Sequence, residues 1–236
     1  MSERFALYYA PPTDSPLWQR AAQWLGRDPA DPSLIPPDVP GIETGHRLRI
    51  SESARRYGFH ATIKAPMAIA PGKSQRDLET ALAAFAATTG WAPIGRLKLA
   101  FIDGFLALIP ERQGAEMEAL AARVVRQFEP YRAPLADADR EKRILQGRLS
   151  ARQIELLDAY GYPYVMDQFG FHMTLTDRLP PDGRKAVLAA AEGWFADAIT
   201  SPLQFDRIVL YREPSPGVAF ARVADFPLAQ TVAADA

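Results

Sequence analysis

The chain has 236 residues, of which 48% are hydrophobic and 23% charged, with a formal net charge of −1. These values are ordinary for a globular protein with a proper core, and the lack of a basic excess argues against broad electrostatic binding of nucleic acid. The absence of cysteine excludes disulfide frameworks, thiolate nucleophiles and the common structural zinc sites.

Nothing in the sequence predicts export or membrane insertion. The first residues carry charges of both signs and meet Pro11-Pro12 before any long apolar stretch, so they do not resemble a secretory signal. No run of about 18 uncharged apolar residues predicts a membrane span. We therefore expect a cytoplasmic protein without a membrane partner.

Residues before about 130 are predicted to alternate between strands and helices. Hydrophobic periodicity defines the segments, together with end signals such as Ser15-Pro16 at a helix start and Asp103-Gly104 at a hairpin turn. In chain order, the predicted elements are a strand at 5–9, a helix at 15–25, a proline-rich loop at 29–40, a strand at 57–64, a helix at 74–87, a hairpin of 96–102 and 105–109, and a helix at 114–128.

A similar order of elements is predicted after about residue 145: a helix at 150–161 that starts with a capping box, a strand at 169–176, a helix at 182–195 and a hairpin of 203–211 and 218–223. We therefore predict an α+β fold in a single bilobal domain, with lobes at roughly 10–130 and 145–225 related by a pseudo-twofold axis. Each lobe is expected to be an antiparallel sheet with helices on its outer face, and an active-site cleft is expected between the lobes. Residues 229–236 are expected to form a frayed tail.

The most informative motif is Gly-Phe-His-x-Thr, which occurs twice. Its copies are residues 58–62 and 170–174, and they contain two of the three histidines in the chain. Because side chains alternate between faces along a strand, each copy places an imidazole and a hydroxyl on one surface and apolar side chains on the other. Two such surfaces facing one cleft would supply two proton-transfer groups and two phosphate-binding hydroxyls.

His60 and His172 are the predicted catalytic residues. In-line cleavage of a phosphodiester needs a base for the entering oxygen and an acid for the leaving oxygen, and imidazole serves both roles near neutral pH. The predicted phosphate-binding residues lie on or beside the histidine faces of the two strands: Thr62, Lys64, Tyr57, Thr174, Thr176 and Arg178. Hydroxyl groups there would donate to the non-bridging oxygens, and Lys64 or Arg178 would offset charge that grows in the transition state.

These motifs resemble those of the 2H phosphoesterase superfamily, whose hallmark is two His-x-Thr/Ser motifs facing each other across a cleft between two lobes. Residues 57–66 and 171–176 are similar, more narrowly, to a bacterial branch associated with phosphonate metabolism. The resemblance implies hydrolysis or transfer of a cyclic or small phosphodiester, with no metal or other cofactor. It also implies that His60 and His172 are the acid–base pair, that Thr62 and Thr174 bind phosphate, and that a ribose cyclic phosphate is a candidate substrate.

Two other functions stay open. A metal-dependent hydrolase needs carboxylate ligands, but neither motif strand has Asp or Glu on its histidine face, and Asp177 is predicted to alternate away from it. A non-catalytic nucleotide- or RNA-binding module would use the same cleft without turnover, although the mild acidity disfavours long nucleic acid. The expected partner is a small anionic phosphodiester or cyclic phosphate, and the sequence does not indicate the oligomeric state.

Three further features receive a structural interpretation. His46 lacks a threonine two residues later and is predicted to be a surface residue. Tyr8 and Tyr9 are predicted to pack in the core, one of them reaching the cleft only if their strand lies beside a motif strand. The run 140–143, Arg-Glu-Lys-Arg, is interpreted either as a mobile anion clamp or as a solvated helix face, and the second is usual for such runs.

Overall fold

The computed structural model describes residues 3–230, so residues 231–236 of the predicted tail lie outside the described part. The first half of the chain forms, in order, β1 (Arg4–Tyr9), α1 (Pro16–Leu25), α2 (Thr44–Arg49), α3 (Glu52–Tyr57), β2 (Ala61–Met67), α4 (Gln75–Ala87), β3 (Ala92–Gly95), β4 (Leu97–Ile102), β5 (Phe105–Pro110) and α5 (Ala115–Gln127). The second half forms α6 (Asp137–Gly147), α7 (Ala151–Tyr160), β6 (Met173–Arg178), α8 (Pro181–Phe195), β7 (Leu203–Phe205), β8 (Arg207–Glu213) and β9 (Ala221–Pro227).

The predicted helices form where their end signals stand. Ser15 caps α1, and Ser74 and Ser150 form capping boxes at the starts of α4 and α7. The helices α2 and α3 were not predicted, because six residues are too few to display a hydrophobic period. The strand β3 is shorter still and contains proline and glycine, which weaken any strand signal.

Seven strands form one sheet in the order β4-β5-β6-β2-β1-β8-β9, and every paired neighbour is antiparallel. The strands β3 and β7 form a separate antiparallel pair. The predicted α+β class with antiparallel sheets is therefore confirmed. The first strand of the predicted second hairpin, at 203–211, is divided into β7 and β8. Because β7 pairs with β3, the hairpin itself consists of β8 and β9.

The two halves of the sheet do not match the two halves of the sequence. The hairpin β4–β5 belongs to the first half of the chain but pairs with β6, whereas the hairpin β8–β9 belongs to the second half but pairs with β1. The predicted contiguous lobes at 10–130 and 145–225 are therefore wrong in this respect. Periodicity identifies a hairpin but does not say which motif strand it joins. Here each hairpin lies in the half of the sheet that contains the motif strand from the other half of the chain.

The motif strands β2 and β6 meet at the centre of the sheet through the pair Ala61 and Met173. This contact joins what were predicted as two sheets into one. The apolar face of each motif is buried: Phe59 and Ile63 in the first motif, and Phe171 and Leu175 in the second. The indole of Trp24 on α1 donates to the carbonyl of Leu175 at 3.1 Å and ties this helix to β6.

Both motif strands start later than predicted. The residues from Glu52 to Tyr57 are helical, and the strands begin at Ala61 and Met173, so each histidine immediately precedes its strand. Ala229 was predicted to begin a frayed tail, but its backbone N–H donates to the carbonyls of Ala86 and Thr89. Within residues 3–230, no helix combines the length and the apolar character that crossing a membrane requires.

Candidate active site

The four motif side chains line one cavity of about 480 Å³, which we call the active cavity: His60, Thr62, His172 and Thr174. The register that sets Ala61 opposite Met173 also sets His60 opposite Thr174 and Thr62 opposite His172. Each histidine therefore faces the threonine of the other motif. This diagonal arrangement has the pseudo-twofold symmetry that the repeated motif predicted.

Both imidazoles are held in the same way by their own motif. The Nδ1 atom of His60 lies 2.8 Å from the carbonyl oxygen of Gly58, and Nδ1 of His172 lies 2.8 Å from the carbonyl oxygen of Gly170. A carbonyl oxygen only accepts hydrogen bonds, so Nδ1 carries the proton and donates in both rings. In a neutral ring Nε2 is then the basic nitrogen, available for proton transfer.

His60 is placed in surroundings that keep it neutral. Its ring stacks on Tyr8 with a centroid separation of 3.8 Å, and its Nε2 accepts from the hydroxyl of Thr62 at 3.1 Å. Burial lowers the pKa of His60 from 6.5 to about 4; the bond to Gly58 opposes this shift, and the nearby His172 adds to it. His60 is therefore a proton acceptor at neutral pH.

His172 stands between the active cavity and a second one, of about 470 Å³. Its ring centroid lies 5.7 Å from that of Phe105. The residues shared by both cavities are Thr62, Phe105, Tyr162, His172 and Arg178. The site is therefore open on both sides of His172, which leaves room for groups attached to either side of a phosphoryl group.

The structure does not place Lys64 at the site. This side chain is buried on the opposite face of β2, where its Nζ donates to Glu129 Oε2 at 2.6 Å and to the carbonyl of Val125 at 3.4 Å. The cause is a register shift in the β1–β2 ladder, in which Tyr8 opposes Thr62 but Leu7 opposes Lys64. One extra residue in β2 reverses the alternation of faces, as a β-bulge does.

A similar irregularity follows the second motif. The ladder between β5 and β6 shifts between the pairs at Thr174 and Arg178. Thr176 lines the active cavity but is 1% exposed, and its hydroxyl accepts from Leu106 N–H and donates to the Asp177 carbonyl. Thr176 is therefore a structural residue rather than a phosphate donor. The prediction that Asp177 points away is also wrong, since it lines the active cavity.

Tyr57 and Arg178 do lie at the active cavity, as predicted. Tyr57 stacks on Phe220 with a centroid separation of 5.0 Å and lies 6.1 Å from the ring of His60. Arg178 is exposed at the mouth of both cavities. The third histidine, His46, lies on α2 and is not among the described residues that line the active cavity.

Several residues of the active cavity were missed by sequence reasoning. Tyr8 packs in the core as predicted, with 1% exposure, and it also lines the cavity beneath His60, because β1 lies next to β2. Tyr162 also lines the cavity, and burial raises the pKa of its phenol to about 12. Within residues 3–230, no three His, Asp or Glu side chains are grouped closely enough to share a metal ion.

A family model described as "Protein of unknown function (DUF1045)" matches residues 62–221. The chain belongs to the DUF1045 family. It is also 38% identical over 229 residues to the ribose 1,5-bisphosphate phosphokinase PhnN of Janthinobacterium sp. (strain Marseille) and 34% identical over 222 residues to the protein of that name from Laribacter hongkongensis (strain HLHK9). These alignments cover 95% and 92% of this chain but 50% of each relative, so this DUF1045 chain spans about half the length of the curated relatives it matches.

Two solved structures match this chain over nearly its whole length, at low identity and low TM-score. One is E. coli LigT complexed with NADP+, which is 12% identical with a TM-score of 0.43 and matches over 97% of this chain and 99% of LigT. Another is described as a phosphoesterase, with 12% identity and a TM-score of 0.43 over 98% of this chain and 100% of that one. Both motifs of this DUF1045 protein lie at one cavity.

Proposed function

We propose that this DUF1045 protein is a metal-independent phosphoesterase that hydrolyses a cyclic phosphodiester or a small phosphodiester by two-histidine acid–base catalysis. One observation carries the proposal: two imidazoles, each tied through Nδ1–H to a carbonyl of its own motif, line a single cavity together with two threonines. The volume of about 480 Å³ accommodates a small ligand rather than a long polymer.

His60 is proposed as the base and His172 as the acid. Water attacks phosphorus while Nε2 of neutral His60 takes its proton, the bond from phosphorus to the leaving oxygen breaks, and the doubly protonated ring of His172 gives its Nε2 proton to that oxygen. The low pKa of His60 supports its role as base in the free enzyme. Thr62 and Thr174 are proposed to donate to the non-bridging oxygens, with Arg178 at the cavity mouth as the nearby positive charge.

A ribose cyclic phosphate is the proposed substrate. The relatives that align with this chain over half of their own length are named for phosphorylation of ribose 1,5-bisphosphate. Opening a cyclic phosphate that joins O1 and O2 of ribose 5-phosphate, with cleavage of the bond to O2, yields ribose 1,5-bisphosphate. The proposed reaction would therefore supply the compound for which the relatives are named, which fits two activities in the two parts of a longer protein.

The kinase activity for which the relatives are named is disfavoured for this chain by its sequence. The phosphate-cradling motif Gly-x-x-x-x-Gly-Lys-Ser/Thr does not occur in the chain. Its nearest approach, Gly72-Lys73-Ser74, has Met67 in place of the first glycine, and Ser74 caps α4 together with Asp77. A non-catalytic nucleotide-binding module and a metal-dependent hydrolase also compete with the phosphoesterase, and a turnover screen separates the three.

The test is a turnover screen of cyclic phosphates and small phosphodiesters, with and without excess chelator, read by phosphorus NMR. We expect a phosphomonoester product with and without chelator. His60→Ala and His172→Ala should each lower kcat by about 10²- to 10⁴-fold, the usual contribution of a general acid or base. His46→Ala is the matched control, because His46 lies on α2 outside the active cavity and its replacement should keep the wild-type rate.

Each competing function has its own signature in this screen. Binding of a cyclic phosphate without product would indicate the binding module, and loss of turnover in chelator would indicate the metal-dependent hydrolase. A folded His60→Ala or His172→Ala variant with the wild-type rate would refute the assigned roles.

A further inference from the structure

A third cavity, of about 430 Å³, adjoins the active cavity, and most of its charged lining residues are cations; we call it the basic cavity. Its charged lining residues are Arg4, Arg132, Asp139, Lys142 and Arg143. Pro66 lines both cavities, and Gly161 of the basic cavity is the chain neighbour of Tyr162 in the active cavity. The two cavities therefore meet at Pro66 and at the bond between Gly161 and Tyr162.

The basic cavity has a positive excess that the pairing of its charges does not remove. Glu213 is fully buried and accepts from both Arg4 and Arg56, and Glu129 accepts from both Lys64 and Arg132. Each carboxylate therefore neutralises one of two cations. Four cations and one carboxylate line the basic cavity, whereas Glu213 and Glu129 lie outside its lining and are shared with Arg56 and Lys64. The whole cluster therefore has six cations and three carboxylates, an excess of three positive charges in a chain whose formal net charge is −1.

The position of these cations matches the far end of a ligand bound at His60. Arg4 starts β1, and Tyr8, which stacks on His60, lies four residues further on the same strand, on the order of 13 Å away between Cα atoms. The guanidinium of Arg4 lies 6.0 Å from the ring of Phe220, which stacks on Tyr57 of the active cavity. The ring of Phe220 also lies 6.5 Å from that of Tyr8, so the Arg4 guanidinium and the ring that stacks on His60 both lie beside Phe220.

Helix α6 supplies the other two cations. Lys142 and Arg143 belong to the charged run at 140–143, and Arg143 Nη1 donates to the carbonyl of Gly161 at 2.7 Å. This bond fixes the Arg143 guanidinium beside the wall between the two cavities and leaves its other N–H groups for a ligand. Arg140 of the same run instead pairs with Asp158 on α7, away from the basic cavity.

We propose that the basic cavity binds a terminal phosphate monoester of the substrate, while His60 and His172 act on the phosphoryl group at its other end. This rests on the proposed function and narrows the substrate class to sugars with two phosphate groups. Guanidinium groups bind phosphate oxygens in a forked geometry, and ammonium groups add a compact charge, so Arg4, Lys142 and Arg143 suit a dianionic monoester.

The test compares two substrates that differ only in this monoester: ribose 5-phosphate 1,2-cyclic phosphate and ribose 1,2-cyclic phosphate. We expect the wild type to favour the first in kcat/KM. Arg143→Gln and Lys142→Gln should each lower the ratio of the two kcat/KM values by about tenfold, as expected for one charge-assisted hydrogen bond. Arg143→Lys should restore part of the ratio, and Arg140→Gln on the same helix should leave it at the wild-type value.

A ratio in Arg143→Gln and Lys142→Gln equal to that of the wild type would overturn the assignment. If the wild type hydrolyses neither cyclic phosphate, the proposed function fails, and a binding measurement then tests the basic cavity as a phosphate site on its own. Calorimetry should then show ribose 5-phosphate binding the wild type about tenfold more tightly than Arg143→Gln. Equal affinities for the two proteins would overturn the basic cavity as a phosphate site.

Discussion

Gly58→Ala should destabilise the protein strongly, whereas Gly170→Ala, at the same place in the other motif, should not. Gly58 ends α3 with φ of 79° and ψ of 176°, a backbone conformation that is almost confined to glycine. A Cβ atom at this position would lie 2.5 Å from Cγ of Pro29. Gly170 does not belong to the glycines with a positive φ, and its Cβ would meet open space.

The size of the effect follows from two separate costs. Forcing alanine into the φ of Gly58 costs about 1–3 kcal/mol, and relieving the contact with Pro29 costs about 1–3 kcal/mol more. We therefore expect the free energy of unfolding to fall by at least about 2 kcal/mol. For a chain of this length, that corresponds to a decrease in Tm of about 4–8 °C or more. Gly170→Ala should stay within about 0.5 kcal/mol of the wild type.

The assay is urea denaturation of the three proteins, with kcat measured on whichever substrate the screen identifies. Because the carbonyl of Gly58 accepts from Nδ1 of His60, any shift of this backbone also misplaces the imidazole, and kcat should fall together with stability. Equal midpoints of unfolding for Gly58→Ala and Gly170→Ala would refute the reasoning, because the two sites would then tolerate a Cβ equally.

Three further outcomes are expected. The folded-state pKa of His60 is about 4, below its ordinary value of 6.5, so on acidification the unfolded chain takes up a proton before the folded chain does. The free energy of unfolding should therefore fall as the pH decreases from about 6.5 to about 4. His60→Gln should reduce this fall in the urea midpoints, and His46→Gln should not. Lys64→Met should lower the urea midpoint, because it removes one of the two cations that pair with Glu129, but it should keep kcat/KM near the wild-type value. A large loss of kcat/KM in a stably folded variant would indicate that Lys64 acts on the substrate after all. Thr176→Val should cost about 1–3 kcal/mol of stability by leaving the N–H of Leu106 without its acceptor, and an unchanged midpoint would contradict this role.

The sequence predicted the site better than it predicted the strand register. The duplicated motif identified the four side chains that meet in the active cavity, because a motif defines its own local geometry. Lys64 and Thr176 were placed by extending the alternation of faces beyond the motif, and in both strands an irregularity intervenes directly after it. Such a bulge depends on pairing with the neighbouring strand, which a single sequence does not display.

Pairing across the sheet also explains the larger errors. The element order was predicted for most of the chain, but the exchange of hairpins between motif strands follows from long-range packing. Whether Tyr8 reaches the cleft stayed open for the same reason, since only the position of β1 beside β2 brings its ring under His60. Local signals such as the caps of α1, α4 and α7 were reliable because they involve neighbours in sequence.

The pseudo-twofold symmetry of the site is broken at one position, and this asymmetry suggests how two identical side chains take different roles. Tyr8 opposes Thr62 in the β1–β2 ladder, and its counterpart in the β5–β6 ladder, opposite Thr174, is Ala107. An aromatic ring therefore covers His60, and a methyl group occupies the equivalent place in the other motif.

Tyr8→Ala tests this explanation. Removing the ring admits water to His60 and should raise its pKa from about 4 towards 6.5, since burial is the main cause of the low value. Proton NMR of the imidazole C–H resonances, assigned with His46→Gln and His172→Gln, measures the shift, and urea denaturation confirms that the variant is folded. If the pKa of His60 stays near 4 in folded Tyr8→Ala, the ring of Tyr8 is not what keeps this imidazole neutral, and the division of roles between the two histidines must have another origin.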